Sequence, residues 1–315
     1  TGRMLGERAL RQAGFTNYEM EPTEAQPNGD FPGLEHPNPE FPEAFVRSIA
    51  LGKKVGADVL IATDPDADRL GCAVRQPDGE YQLLTGNQIA SIMLAYILEA
   101  HKQAGTLPKN AAAVKSIVST NFAAKIAENY GVEMINVLTG FKWIADQIHQ
   151  YETGKADHTF MFGFEESYGY LIKPFVRDKD AIQSLTLLAE VAAYYRSRNM
   201  TLYDGLQELF KKYGYFREKT IANTYAGVDG PAKIKALMKK FREEAPTHFA
   251  GHQVVVTEDF ANGTKTTADG EVSELGIPES NVLRYILDDD TWIAIRPSGT
   301  EPKLKFYIGT SADTL

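Results

Sequence analysis

Three carboxylates stand at alternate positions in Asp64-Pro65-Asp66-Ala67-Asp68-Arg69. Carried on one tight turn, such a set can converge on a single cation, and hard oxygen donors suit Mg²⁺ or Ca²⁺. A divalent ion would also offset the repulsion among three adjacent negative charges. A calcium loop of the EF-hand kind is excluded, because its sixth and twelfth positions require Gly and Glu and are occupied by Arg69 and Arg75. Arg69 is placed to bind phosphate or to act as counter-ion to its neighbours. The plainer alternative is a solvated acidic turn.

A second stretch, Phe162-Gly163-Phe164-Glu165-Glu166-Ser167-Tyr168-Gly169-Tyr170, sets two carboxylates and a hydroxyl between glycines that permit tight turns. Carboxylates accept and a serine donates or accepts, which suits the vicinal hydroxyls of a sugar; an acidic loop with aromatic packing is the alternative. Downstream, Arg177-Asp178-Lys179-Asp180 brings two cations to the start of a helix. Arg177 and Lys179 together can hold a phosphate, and Asp180 fits a helix N-cap. A third stretch, Arg296-Pro297-Ser298-Gly299-Thr300-Glu301-Pro302-Lys303, combines cations, hydroxyls and a flexible glycine in the manner of a phosphate nest. It is not a Walker loop, whose Gly-x-x-x-x-Gly-Lys order is absent, and a plain β-turn stays possible. The six histidines show no ligand spacing, and Cys72 fits a small core residue.

The elements that must position these loops follow from periodicity. Helices are expected over Met4 to Ala13 and Glu43 to Val55, separated by a Pro-rich passage. Ala57 to Thr63 is a short apolar run ending at Asp-Pro and is expected as a buried parallel strand that delivers the aspartates at its carboxyl end. Leu70 to Val74 returns as a strand. Ile89, Ile92, Met93, Tyr96, Ile97 and Ala100 follow helical spacing. Strands near 113–118, 132–137 and 159–162 then alternate with helices near 122–130, 142–150 and 181–198. After a helix at 202–213 come strand 219–223, helix 232–241 and closely spaced strands at 253–257, 282–287, 291–296 and 304–308. The fold class is therefore α/β, mixed and mainly parallel, followed by a smaller α+β domain with an antiparallel sheet. Domain boundaries are expected at 1–79, 80–213 and 214–315. The last residues, Ser311 to Leu315, resemble the start of a helix, so the final domain is expected to be cut short.

A chain of 315 residues with 43% hydrophobic and 24% charged residues has the composition of a globular protein with two or three domains. Its net charge of −9 argues against nucleic acid as the main partner. A single cysteine rules out an intrachain disulfide and fits a reducing, cytoplasmic setting. No apolar run approaches membrane-spanning length.

Taken in order, Thr63 to Arg69, Gly163 to Tyr170 and Arg296 to Lys303 resemble the α-D-phosphohexomutase superfamily over essentially the whole chain. The Glu-Glu-Ser-Tyr form of the second loop is similar to the phosphoglucomutase branch, some members of which also act on mannose phosphates. The resemblance implies that Asp64, Asp66 and Asp68 bind Mg²⁺, that Arg69 contacts the transferring phosphate, and that Lys179 lies close to the reacting oxygens. It implies that Thr139 and Gly140 orient the sugar, that Glu165 and Ser167 grip its hydroxyls, and that Arg296, Ser298, Gly299, Thr300 and Lys303 bind the non-reacting phosphate. Phe164 departs from the family pattern, where many members have Gly. Such an enzyme interconverts glucose 1-phosphate and glucose 6-phosphate through a phosphoserine, with glucose 1,6-bisphosphate as activator and intermediate. The family's serine sits in a Ser-His-Asn-Pro-type loop. No such loop occurs here, and Ser119-Thr120-Asn121 is the nearest look-alike. The chain is therefore expected to be a C-terminal part, inactive alone. A non-catalytic sugar-phosphate binding module and a metal-dependent sugar phosphatase are the competing readings.

Overall fold

The computed structural model describes residues 2–299 and 301–314, which divide into two compact units, Thr1–Tyr213 and Gly214–Leu315. In the first unit, α1 (Gly2–Gln12) precedes a long irregular passage, a 3₁₀ turn (Pro42–Phe45) and α2 (Val46–Val55). Strands β1 (Val59–Thr63), β2 (Leu70–Arg75) and β3 (Tyr81–Leu84) form a three-stranded sheet in that order, antiparallel throughout. This corrects the expectation of a buried parallel strand at Ala57 to Thr63. Within β1 only Leu60 is buried, and the six residues between β1 and β2 are too few for a crossover, which needs about a dozen. The aspartates therefore sit on a hairpin connection.

Thr85 opens α3 (Gly86–Gln103) with a capping box: its hydroxyl accepts from Gln88 N at 3.2 Å while the Gln88 side chain accepts from Thr85 N at 3.0 Å. There follow β4 (Ala111–Ser116), α4 (Asn121–Asn129), β5 (Glu133–Val137), α5 (Phe141–Glu152), β6 (Thr159–Glu165), β7 (Gly169–Leu171), α6 (Ala181–Ser197) and α7 (Leu202–Tyr213). The sheet order is β5-β4-β6-β7, with β4 parallel to β5 and β6, and β7 antiparallel at the edge. Val114, Val137, Ile144, Ile148 and Leu171 form the core between this sheet and α5. The second stretch of sequence interest is a β-hairpin. Gly163 lies inside β6 and needs no turn; a Cβ there would overlap Ile144. Phe164 is fully buried, its ring stacked at 5.8 Å on Phe162, so the departure from glycine is absorbed into the core.

The second unit is an antiparallel sheet with one long helix. It comprises β8 (Tyr215–Thr224), α8 (Gly230–Glu243), β9 (His248–Phe249), β10 (His252–Asp259), β11 (Thr264–Thr267), β12 (Val272–Glu274), β13 (Leu283–Leu287), β14 (Trp292–Pro297) and β15 (Lys303–Ala312). The order is β12-β11-β10-β13-β14-β15-β8, with β9 paired to β10. Ile234 and Met238 of α8 pack on Leu283, Tyr285, Ile293, Ile295 and Leu304. The helix start expected near Ser311 is instead strand, because Ser311 and Ala312 pair with Phe216 and Tyr215 of β8. Among the described residues no helix is long and apolar enough to cross a membrane.

Candidate functional site

Asp64 organises its own loop. Its Oδ1 accepts from Asp68 N and Arg69 N, both at 3.0 Å, while its carbonyl accepts from Ala67 N at 3.1 Å. Ala67 takes a positive φ of 62° to close the turn, and its carbonyl receives the N–H of Ala181, an otherwise orphan donor at the start of α6. Asp180 caps that helix through Ile182 N and Gln183 N, as its position suggested. On the other side, Leu70 N donates to Tyr168 O at 3.0 Å and Arg69 bridges Gly169. The aspartate loop is thus stitched to both the β6–β7 hairpin and α6.

Ligand atoms of Asp64, Asp66 and Asp68 lie within 4.8 Å of one another. Asp64 is 8% exposed, and burial, reinforced by Asp68 and Asp66, pushes its carboxyl up to about 6. The Lys179 ammonium donates to Asp68 Oδ2 at 2.5 Å, leaving Asp68 Oδ1 buried without a hydrogen bond. Burial works against the charge on Lys179, but Asp68 and then Asp178 outweigh it and hold the amine above its usual range. Arg69 Nε is 3.7 Å from both Asp64 Oδ2 and Asp68 Oδ1, and its Nη1 is 3.7 Å from Glu40 Oε2, so it serves as counter-ion to three acids. Glu35, His36, Asn38 and Phe41 line the same small pocket. Gly169 is required beneath Lys179, since a Cβ there would overlap the lysine Cδ.

The hairpin brings a second carboxylate into the same unit. Glu165 is 7% exposed, and its Oε1 accepts from Gly140 N at 2.6 Å. Gly140 precedes α5 with φ 112°, a conformation closed to most side chains, and gives its N–H to Glu165. Leu138-Thr139-Gly140 and the Glu165–Ser167 turn are thereby joined, although 25 residues separate the bonded pair. Burial first, then the charge of Glu166, pushes Glu165 up to about 7, with Lys179 and Arg69 opposing. Ser167 is half-buried at the turn.

Other expected residues stand apart. The Arg177 guanidinium is taken by Glu152 and by Pro174 O at 2.8 Å, so it shares no partner with Lys179. In the second unit, Arg296 lies on β14 opposite Lys305, and Ser298 N donates to Lys303 O at 2.8 Å. Lys303 Nζ is engaged by Glu301 at 2.9 Å. Gly299 is exposed, with open space around its Cα, and Thr300 lies outside the described residues. The look-alike Thr120 is the N-cap of α4, accepting from Phe122 N at 3.0 Å. Sequence reasoning did not single out Lys115, and it grouped Glu166 with Glu165 as a sugar-facing carboxylate. Lys115 is 1% exposed within β4, and Glu166 accepts from Ser116 Oγ at 2.9 Å. A lysine inside the apolar-run strand Ala111–Ser116 was the available signal for the first.

Known proteins share this architecture. Profiles of the family described as phosphoglucomutase/phosphomannomutase match as alpha/beta/alpha domain II over residues 1–79, alpha/beta/alpha domain III over 85–213 and C-terminal domain over 229–314. A phosphoglucomutase of Staphylococcus epidermidis is 41% identical over 305 residues, covering 96% of this chain and 54% of that protein. One from Staphylococcus aureus (strain USA300) is 38% identical over 301 residues, covering 95% and 53%. The chain thus spans about half the length of these relatives. The open form of pp63/parafusin, a phosphoglucomutase from Paramecium, has the same fold with a TM-score of 0.65 at 20% identity, over 98% of this chain and 52% of that one. A family protein from Burkholderia thailandensis gives 0.63 at 20% identity, over 99% and 54%.

Proposed function

The chain belongs to the phosphoglucomutase/phosphomannomutase family, within the α-D-phosphohexomutase superfamily, and from that premise we propose that it carries the metal, sugar and phosphate sites of an enzyme interconverting glucose 1-phosphate and glucose 6-phosphate. The observation that carries the reading is the convergence, in one unit, of the three aspartates with Lys179, Arg69 and the Glu165–Gly140 pair. The donor set fits Mg²⁺: three carboxylate oxygens face one another, and the buried Asp68 Oδ1 is an acceptor without a hydrogen bond. Asp64, Asp66 and Asp68 would hold Mg²⁺, which would supply charge neutralisation to phosphoryl oxygens when bound.

The chain's own groups do the rest. Lys179, kept charged by Asp68, donates to an oxygen of the transferring phosphoryl group, and Arg69 offsets the charge that gathers on it. Glu165 commits Oε1 to Gly140, so its other oxygen accepts from a sugar hydroxyl, flanked by Ser167 and by Thr139 and Gly140. Arg296, Ser298, Gly299, Thr300 and Lys303 hold the non-reacting phosphate. Lys303 must first share or leave Glu301, and Arg177 joins a phosphate only by leaving Glu152. The phosphoryl donor is a serine outside these 315 residues, and glucose 1,6-bisphosphate is the intermediate that turns over and returns the second phosphate. The relatives' name, phosphoglucomutase, favours glucose over mannose. The proposed domains run 1–79, 80–213 and 214–315, in a cytoplasmic enzyme.

A coupled assay with Mg²⁺ and glucose 1,6-bisphosphate tests this. The full-length protein containing this chain converts glucose 1-phosphate to glucose 6-phosphate, and the chain by itself binds hexose phosphate weakly without turnover. Net release of inorganic phosphate by the full-length protein would overturn the reading in favour of a phosphatase.

A further inference from the structure

Glu166 is the charged member of the β6–β7 hairpin that the proposed sugar grip does not use. Its neighbour Glu165 reaches Gly140, whereas the Glu166 carboxylate reaches Ser116 at the end of β4 and Ser119 in the turn before α4. Both serines are 0% exposed, and their hydroxyls are 2.8 Å apart. Each hydroxyl has one proton. Ser116 Oγ at 2.9 Å and Ser119 Oγ at 3.3 Å both lie within donating reach of the same Glu166 oxygen, Oε2, and the two hydroxyls also bond to each other. At the other end of this short segment, Lys115 Nζ donates to Ser119 O at 3.1 Å from a position 1% exposed. A buried cation and a half-buried anion therefore close on the same two serines, which spares each the full cost of leaving water.

We propose that Glu166 is a positioning residue, which locks the Glu165–Ser167 turn to the Ser116–Ser119 turn and sets the geometry and charge with which Glu165 meets the sugar. The inference rests on the proposed role of Glu165. Removing the anchor leaves the turn held by the Glu165–Gly140 bond and by backbone bonds such as Leu70 N to Tyr168 O, with no remaining tie to the Ser116–Ser119 turn through Glu166. Removing only the charge leaves the anchor and changes the field at Glu165. The charged groups acting on Glu165 are Glu166, which raises its proton affinity after burial, and Lys179 and Arg69, which lower it.

Two substitutions separate anchor from charge. In Glu166→Gln the amide oxygen still accepts from Ser116, so the midpoint of the Glu165 carboxyl, followed by carbon NMR on this chain and assigned with Glu165→Gln, moves to lower pH. In Glu166→Ala the anchor is gone, and KM for glucose 1-phosphate in the full-length enzyme rises about tenfold or more, with most of that loss recovered in Glu166→Gln. A merely structural glutamate would lower thermal stability in both variants and leave the Glu165 midpoint where it was. An unchanged midpoint in Glu166→Gln, or an unchanged KM in Glu166→Ala, overturns the inference. Wild-type kcat/KM in Glu165→Gln would instead overturn the sugar-grip reading beneath it.

Discussion

Charge is handled differently in the two units. Around Asp64 and Glu165 the acids are 8% and 7% exposed, and both are pushed up, to about 6 and about 7, by burial and by like-charged neighbours. Around Ser298 and Gly299 the loop is open, and its lysine is already matched by Glu301 at 2.9 Å. The first arrangement gathers buried acids against Lys179 and Arg69, and the second is an exposed turn. Substitutions in the first region should therefore have large effects that depend on pH and metal, while those in the second should be smaller and roughly additive.

The largest expected effect is at Lys179. Lys179→Met removes the hydrogen bond to Asp68 Oδ2 and the donor proposed for the transferring phosphoryl group. In the full-length enzyme kcat falls on the order of a hundredfold or more, with KM changed far less. Steady-state kinetics check it, and a fall confined to KM would move Lys179 from the reacting oxygens to the binding site.

Stability should show the same contrast. Glu165 goes from an ordinary value of 4.5 to about 7 in the fold. The folded protein thus binds the proton more tightly, so this group's stabilising contribution is complete below pH 4.5 and lost as pH rises through about 7. The loss is on the order of 3 kcal/mol. In metal-free urea unfolding, Glu165→Gln should exceed wild type at pH 8 and match it near pH 4, despite its damage to turnover. An equal difference at both pH values would rule out ionisation as the cause.

The second unit supplies the smaller effects. Arg296→Ala should raise KM for glucose 1-phosphate about tenfold through one lost charge-assisted contact, with no change in pH profile. Glu301→Gln releases Lys303 from an exposed ion pair and should tighten phosphate binding by about threefold or less, as read by titration calorimetry. An effect of Glu301→Gln as large as that of Lys179→Met would erase the distinction between the regions.

How far the sequence revealed these regions depends on what kind of information each feature needs. Three alternating aspartates and a Glu-Glu-Ser turn are visible as types and spacing, and the apolar period marked α3, α6 and α7 well. The direction of β1 was misjudged, although the six-residue return to Leu70 contained the answer. β11 is Thr-Lys-Thr-Thr and β12 is exposed throughout, so neither carries an apolar alternation; β11 becomes a strand by pairing with β10, and β12 by pairing with β11. The Gly140–Glu165 bond and the Ser116–Glu166 bond join residues 25 and 50 positions apart, which no local pattern encodes. Arg177 shows the reverse case: beside Lys179 in sequence, it turns to Glu152.

The central claim is that Asp64, Asp66 and Asp68 form a divalent-cation centre, and exposed Asp66 is the member whose loss least disturbs the fold. Calorimetric titration of Mg²⁺ into this chain and into Asp66→Asn, with thermal unfolding to confirm that both are folded, measures it most directly. One site in wild type, weakened about tenfold or more in Asp66→Asn, is the expected result. Equal Mg²⁺ affinity in the two proteins would contradict the account.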